Sequence, residues 1–189
     1  MITELDKNTA LILIDLQNMI VGLPLAHQVQ GVLHNANELA KAFRKANLPV
    51  VLVNVNPGGA AWTKTRKDAN PTGNFQPQEG WDKITDELEQ ADSDIHITKH
   101  TWSAFYETAL DEELKKRNVT GIVIGGISTS IGVEGTARSA SERGYNIAFA
   151  TDATTDMFID AHENSLKNIF PRMGEVGTTE DVIEILLNL

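Results

Sequence analysis

Seven consecutive residues, Gly121 to Ile127 (Gly-Ile-Val-Ile-Gly-Gly-Ile), carry no polar side chain. A run so short, so apolar and so rich in β-branched residues reads as a strand buried on both faces, and such strands belong to parallel sheets covered by helices on each side. The next residues, Ser128, Thr129 and Ser130, offer helix N-caps. Ala137 and Ala140 continue a helix to Gly144, a C-terminal stop. A strand that runs straight into a helix makes a tight turn. That turn aims backbone N–H groups and the positive end of the helix dipole at one point above the sheet, a point suited to an anion or a developing oxyanion.

The same alternation recurs along the chain. Thr9–Leu16 reads as a second buried strand with Asp15 at its carboxyl end, where a carboxylate is costly to bury and calls for a partner or a task. Residues 19–25 read as a loop. His27–Ala46 has one apolar stripe (Val29, Val32, Leu33, Ala36, Leu39, Ala40, Phe43) at helical spacing; His27 and His34 lie on or near it with no ligand role. Pro49–Val55 is a third strand. Residues 56–78, rich in Gly, Pro and Asn, form a lid or binding loop in which Trp62, Lys64, Arg66 and Phe75 meet an anionic or cyclic ligand, or else a solvated loop anchored by its Trp. A short amphipathic helix is expected within 80–90, a strand over 94–98 and a charged helix over 110–117. Tyr145–Ala150 is a strand, with Asp152 just beyond it as a structural carboxylate. A helix spans 160–173 with His162 on its first turn, a short strand covers 175–178, and Thr179 caps a last helix over 180–187. Apolar strands alternating with helices predict a three-layer α/β/α, Rossmann-like domain over 1–189 with a six-stranded, mostly parallel sheet. The functional site of such a sheet lies beyond the carboxyl ends of its strands.

Composition narrows the chemistry. With 189 residues, 41% apolar and 22% charged, the chain can bury a full core. There is no cysteine, so disulfides, thiolate nucleophiles and Cys-rich zinc sites are all excluded. A formal net charge of −10 disfavours nucleic acid and anionic membrane surfaces as partners. The N-terminus lacks the basic and apolar blocks of a signal peptide, and no apolar run approaches membrane-spanning length, so a cytoplasmic location is expected.

Residues 126–140 read Gly-Ile-Ser-Thr-Ser-Ile-Gly-Val-Glu-Gly-Thr-Ala-Arg-Ser-Ala. This segment resembles the nucleophile turn of the isochorismatase-like hydrolases, or cysteine hydrolases, whose pattern is Gly-[hydrophobic]-x-Thr-x-x-Cys-Val-x-x-Thr-Ala-Arg-x-Ala. Every fixed position agrees but one: Gly132 stands where the nucleophilic cysteine would be. Asp15-Leu16-Gln17-Asn18 is similar to the family's opening Asp-[Met/Leu]-Gln-Asn/Asp, and Lys99-His100-Thr101-Trp102-Ser103-Ala104-Phe105 to its Lys-x-x-x-Ser-Ala-Phe. Gly144-Tyr145 through Asp152-Ala153 matches the strand that follows.

The resemblance implies that Asp15 is a general acid/base, that Lys99 pairs with it, and that Gly132 completes the catalytic set. It further implies that Gln17, Ser103, Phe105, Ile127, Ser128 and Ile131 line the substrate pocket, with His100 structural. A cis peptide is expected at Ile127–Ser128, and assembly as a homodimer or homotetramer. Metal-dependent nicotinamidases of the superfamily carry an Asp and His residues after the third strand. Here Asn54 and Asn56 stand there and no His follows before His96, so neither a metal nor another cofactor is expected.

Three functions remain open. One is thiol-independent hydrolysis of a small carboxylated vinyl ether, as in the true isochorismatases, which also carry Gly at that position. The second is amide hydrolysis with Ser130 or another hydroxyl in place of the thiol. The third is a small-molecule-binding or scaffold role without catalysis.

Overall fold

The computed structural model describes residues 1–58, 60 and 78–188. Trp62, Lys64, Arg66 and Phe75, expected to meet a ligand, lie outside the described residues. Among the described residues six strands form one sheet: β1 (Thr9–Ile14), β2 (Val50–Val55), β3 (Ile95–Lys99), β4 (Gly121–Ile127), β5 (Asn146–Thr155) and β6 (Glu175–Gly177). Their order is β3-β2-β1-β4-β5-β6, and every pairing is parallel.

The two faces of the sheet are both apolar, which is why its central strands contain almost nothing polar. Leu11, Leu13, Val50, Leu52, Val123 and Ile127 point to one side. There they pack on Val32, Leu33, Ala36, Leu39, Ala40 and Phe43 of α2 (Val29–Lys45) and on Val182 and Leu186 of α6 (Thr179–Leu186). Ala10, Ile12, Ile14, Val51, Val53, Ile122 and Ile124 point to the other side. That layer holds Leu110 and Leu114 of α3 (Leu110–Lys116), Ala137 and Ala140 of α4 (Glu134–Glu142), and Phe170, which stacks on Phe149 at 3.9 Å. The period-2 alternation of a strand thus supplies two cores at once.

Several local expectations are corrected. Residues 80–90 form turns and not a helix, because their backbone bonds elsewhere: Asn18 and Met19 donate to the carbonyls of Lys83 and Trp81, and Thr85 donates to Leu16. Ile84 also forms an isolated bridge with Gln17. A short helix, α1 (Asn18–Val21), occupies part of the expected 19–25 loop. β5 does not stop at Ala150; after a register shift opposite Ile124 and Gly126 it runs on to Thr155, carrying Thr154 and Thr155 beside Gly126 and Ile127. The 160–173 helix is broken into α5 (Ile159–Asn164), a π turn over 165–169 and a 3-10 turn over 170–172, where Pro171 has no N–H to continue the ladder. The cap of α6 is Thr178, in a reciprocal capping box with Asp181; Thr179 instead gives its N–H and hydroxyl to Asp152, which is therefore structural.

Candidate active site

Asp15 and Lys99 are two strands apart in the sheet, with β2 between them. Asp15 follows β1 in a left-handed conformation (φ 52°) that turns its side chain off the strand end, and its N–H is held by the carbonyl of Val53 on β2. Lys99 ends β3. Its long stem reaches back across β2 and places Nζ 2.8 Å from Asp15 Oδ2 and 3.0 Å from the carbonyl of Thr101. Both side chains are nearly inaccessible: Asp15 is 4% exposed and Lys99 2%.

The two influences on Asp15 oppose each other. Burial disfavours the ionised carboxylate, and the Lys99 ammonium favours it. Burial is the larger, and the carboxyl is raised from 3.8 to about 6. Asp15 Oδ2 carries the ion pair. Asp15 Oδ1 is buried with no hydrogen-bond partner among the described residues. An orphan oxygen on a buried acid is unusual enough to need an explanation.

The third element arrives from β4, the other neighbour of β1. Gly126 (φ 121°) passes so close to β1 that a Cβ there would lie 2.1 Å from the carbonyl oxygen of Ile14; only glycine can hold the place. The Ile127–Ser128 peptide that follows is cis. The chain then enters a π turn over Thr129–Val133 before α4 begins. Gly132 lies in that turn. A Cβ built on it would sit 3.1 Å from Asp15 Oδ2, 2.9 Å from Ile14 Cγ2 and 3.5 Å from the carbonyl oxygen of Ile127. The acid, the amine and the bare turn therefore share one spot on the carboxyl rim of the sheet.

The turn is capped differently from expectation. Ser128 makes no side-chain cap, and its carbonyl instead accepts from Ile131 and Val133. The carboxylate of Asp156, just past β5, accepts both the N–H and the hydroxyl of Ser130 at 2.8 Å. A protein carboxylate thus already sits at part of the positive end of this turn. The apolar pattern of the sequence carries no signal for Asp156, because it stops at Ala150 while β5 continues to Thr155; Asp156 is thus another carboxylate at a strand end, as Asp15 is.

The residues expected to line a pocket are scattered. Gln17 is fully buried and spends both ends of its amide on Val55, donating to the carbonyl at 3.0 Å and accepting the N–H at 2.7 Å; it extends the sheet like one more strand residue. Ser103 donates to Ser139 Oγ and accepts from the N–H of Phe105. Phe105 belongs to the core, against the Tyr145 ring and under the Arg143 guanidinium. The side chain of Ile127 packs into the opposite core layer, so only its carbonyl faces Gly132. Ile131 is exposed. Asn54 and Asn56 give their amides to Asp82, pinning the 78–84 turns to the end of β2.

The chain matches the isochorismatase domain over residues 9–181. It is 40% identical over 185 residues to the isochorismatase family protein YecD of Escherichia coli O157:H7, covering 95% of this chain and 97% of that one. It is 28% identical over 199 residues to the ureidoacrylate amidohydrolase RutB of Pseudomonas savastanoi pv. phaseolicola, covering 92% and 81%. The structure of an isochorismatase family protein from Burkholderia thailandensis superposes with a TM-score of 0.91 at 41% identity, covering 99% of this chain and all of that one. With a parallel sheet that carries an acid, an amine and a strand-to-helix turn on one rim, the chain belongs to the isochorismatase family of hydrolases.

Proposed function

We propose that this protein hydrolyses a small carboxylated vinyl ether, of which isochorismate is the model, by acid catalysis from Asp15 without a covalent intermediate. The observation that carries this reading is the state of Asp15: a buried carboxyl raised to about 6, with one oxygen on Lys99 and the other unpartnered among the described residues. A group poised near the working pH is what general acid catalysis needs. Gly132 has no atom that can attack, so water is the nucleophile. Asp15 delivers a proton to the vinyl carbon. Water adds to the resulting oxocarbenium carbon and gives up a proton. The hemiketal then collapses, and isochorismate plus water becomes 2,3-dihydro-2,3-dihydroxybenzoate and pyruvate. Lys99 holds the carboxyl in place and balances its charge when the proton has left.

The test is pyruvate release from isochorismate by the wild type and by Asp15→Asn, a substitution whose side chain tolerates the left-handed backbone at this position. Turnover that Asp15→Asn abolishes supports the reading. Turnover unchanged in Asp15→Asn overturns it. Amide hydrolysis that needs the Ser130 hydroxyl would favour the amidohydrolase alternative, although that hydroxyl donates to Asp156. No turnover across vinyl ethers, esters and amides would leave a binding protein.

A further inference from the structure

Behind the Gly132 turn lies a buried polar chain that the hydrolysis scheme does not use. Thr154 Oγ1 donates to the carbonyl of Gly126 at 2.7 Å. Thr129 Oγ1 lies 3.0 Å from Thr154 Oγ1 and 2.8 Å from His162 Nδ1. All three side chains are buried. Counting hydrogens fixes the direction. Thr154 has one hydroxyl hydrogen, and the carbonyl takes it. The hydrogen between the two hydroxyls must then come from Thr129. Thr129 has none left for the imidazole, so His162 Nδ1 must be the donor. The chain runs one way: His162 Nδ1–H to Thr129, Thr129 to Thr154, Thr154 to the Gly126 carbonyl. It ends on the glycine that presses against Ile14, the residue before Asp15.

From this we infer that His162, on α5, is a positioning residue of the candidate site: held as the Nδ1–H tautomer, it locks the Thr129–Val133 turn to the end of β4 and so sets the gap between Gly132 and Asp15. The word "site" rests on the functional reading above; the hydrogen-bond direction does not. Burial lowers the His162 pKa, as does the His27 ring at 4.7 Å, while Asp156 and Glu163 act in the opposite sense. A neutral ring that donates from Nδ1 leaves Nε2 without a hydrogen, so the chain survives deprotonation.

Two measurements test this, and neither needs a substrate. In protein labelled with 15N-histidine at neutral pH, His162 should show a protonated, pyrrole-type Nδ1 and an unprotonated, pyridine-type Nε2. The reverse tautomer overturns the inference. The second places a reporter thiol in the gap by Gly132→Cys and follows its alkylation by iodoacetamide against pH, since the rate tracks thiolate formation beside Asp15 and Lys99. Adding Thr129→Val, which replaces the hydroxyl with a methyl group of similar size, should change the rate roughly tenfold, the scale of one buried hydrogen bond. Adding His162→Leu should do the same. His162→Asn, whose amide N–H falls where Nδ1–H was, should bring the rate back to within about twofold of the parent. If His162→Leu fails to fold, Thr129→Val and the tautomer decide. A thiol profile indifferent to Thr129→Val and to His162 would refute the positioning role. Failure of the isochorismate assay with both signatures intact would remove the vinyl ether reading and leave the positioning role standing.

Discussion

Burial and the Lys99 ammonium push the Asp15 carboxyl in opposite directions, and the stability of the fold should report which wins. The group sits at 3.8 in the unfolded chain and about 6 in the folded one. Because the folded value is raised, the folded state binds the proton more tightly. Asp15 therefore supports the fold below about pH 4, and that support is lost as pH rises through about 6. At about 1.4 kcal/mol per pH unit, a separation of this size is worth about 3 kcal/mol. Many other groups titrate in this range, so the comparison is with Asp15→Asn, which has the same shape and cannot titrate. That variant also leaves Lys99 without its carboxylate, which offsets its stability from that of the wild type. The change of that difference with pH, and not its size, reports the Asp15 proton. Urea unfolding at several pH values between about 3.5 and 7.5 should show the wild type losing about 3 kcal/mol relative to Asp15→Asn as pH rises. Parallel curves would mean that ion pairing and burial balance. A wild type that gains on the variant as pH rises would mean that Lys99 dominates, and a carboxyl so depressed could not serve as the acid proposed here.

On isochorismate, turnover should fall as pH rises through about 6, because the protonated form of Asp15 is the active one; a rate that climbs through the same range would exclude the acid role. Gly126→Ala should cost at least about 3 kcal/mol, since its Cβ meets the Ile14 backbone at 2.1 Å from a left-handed position; a thermal unfolding shift of only a degree or two would show that β1 and β4 are not so tightly apposed. Gln17→Leu should cost about 2–4 kcal/mol in urea unfolding by stranding the N–H and carbonyl of Val55. Arg44→Leu should cost about 2–4 kcal/mol, because it leaves the Asp94 carboxylate, 1% exposed, without its paired bonds of 3.0 and 2.7 Å; a neutral result would place that ion pair among those that add nothing.

The sequence by itself determined the architecture. Strands with no polar face can be satisfied only between two helical layers, and the amphipathic stripe of α2 supplies one of them. It also removed the thiol and set Asp15, Lys99 and Gly132 each at the end of a strand. Local pattern failed where bonds are made at a distance. The 80–90 segment has helical spacing yet spends its backbone on residues 16–19. The second half of β5, with Thr151, Asp152, Thr154 and Thr155, lacks the apolar run of a buried strand, and only a register shift places it against β4. What only the tertiary structure decided is adjacency. The order β3-β2-β1-β4 sends Lys99 over an intervening strand to Asp15 and brings the bare turn to the other side of the same carboxylate. It tied Gln17 to Val55 and packed Phe105 into a core layer, and it joined His162, Thr129 and Thr154 into one chain. Periodicity records which face a side chain shows; which strands become neighbours depends on how the whole sheet closes its two cores, and that is written in no single segment.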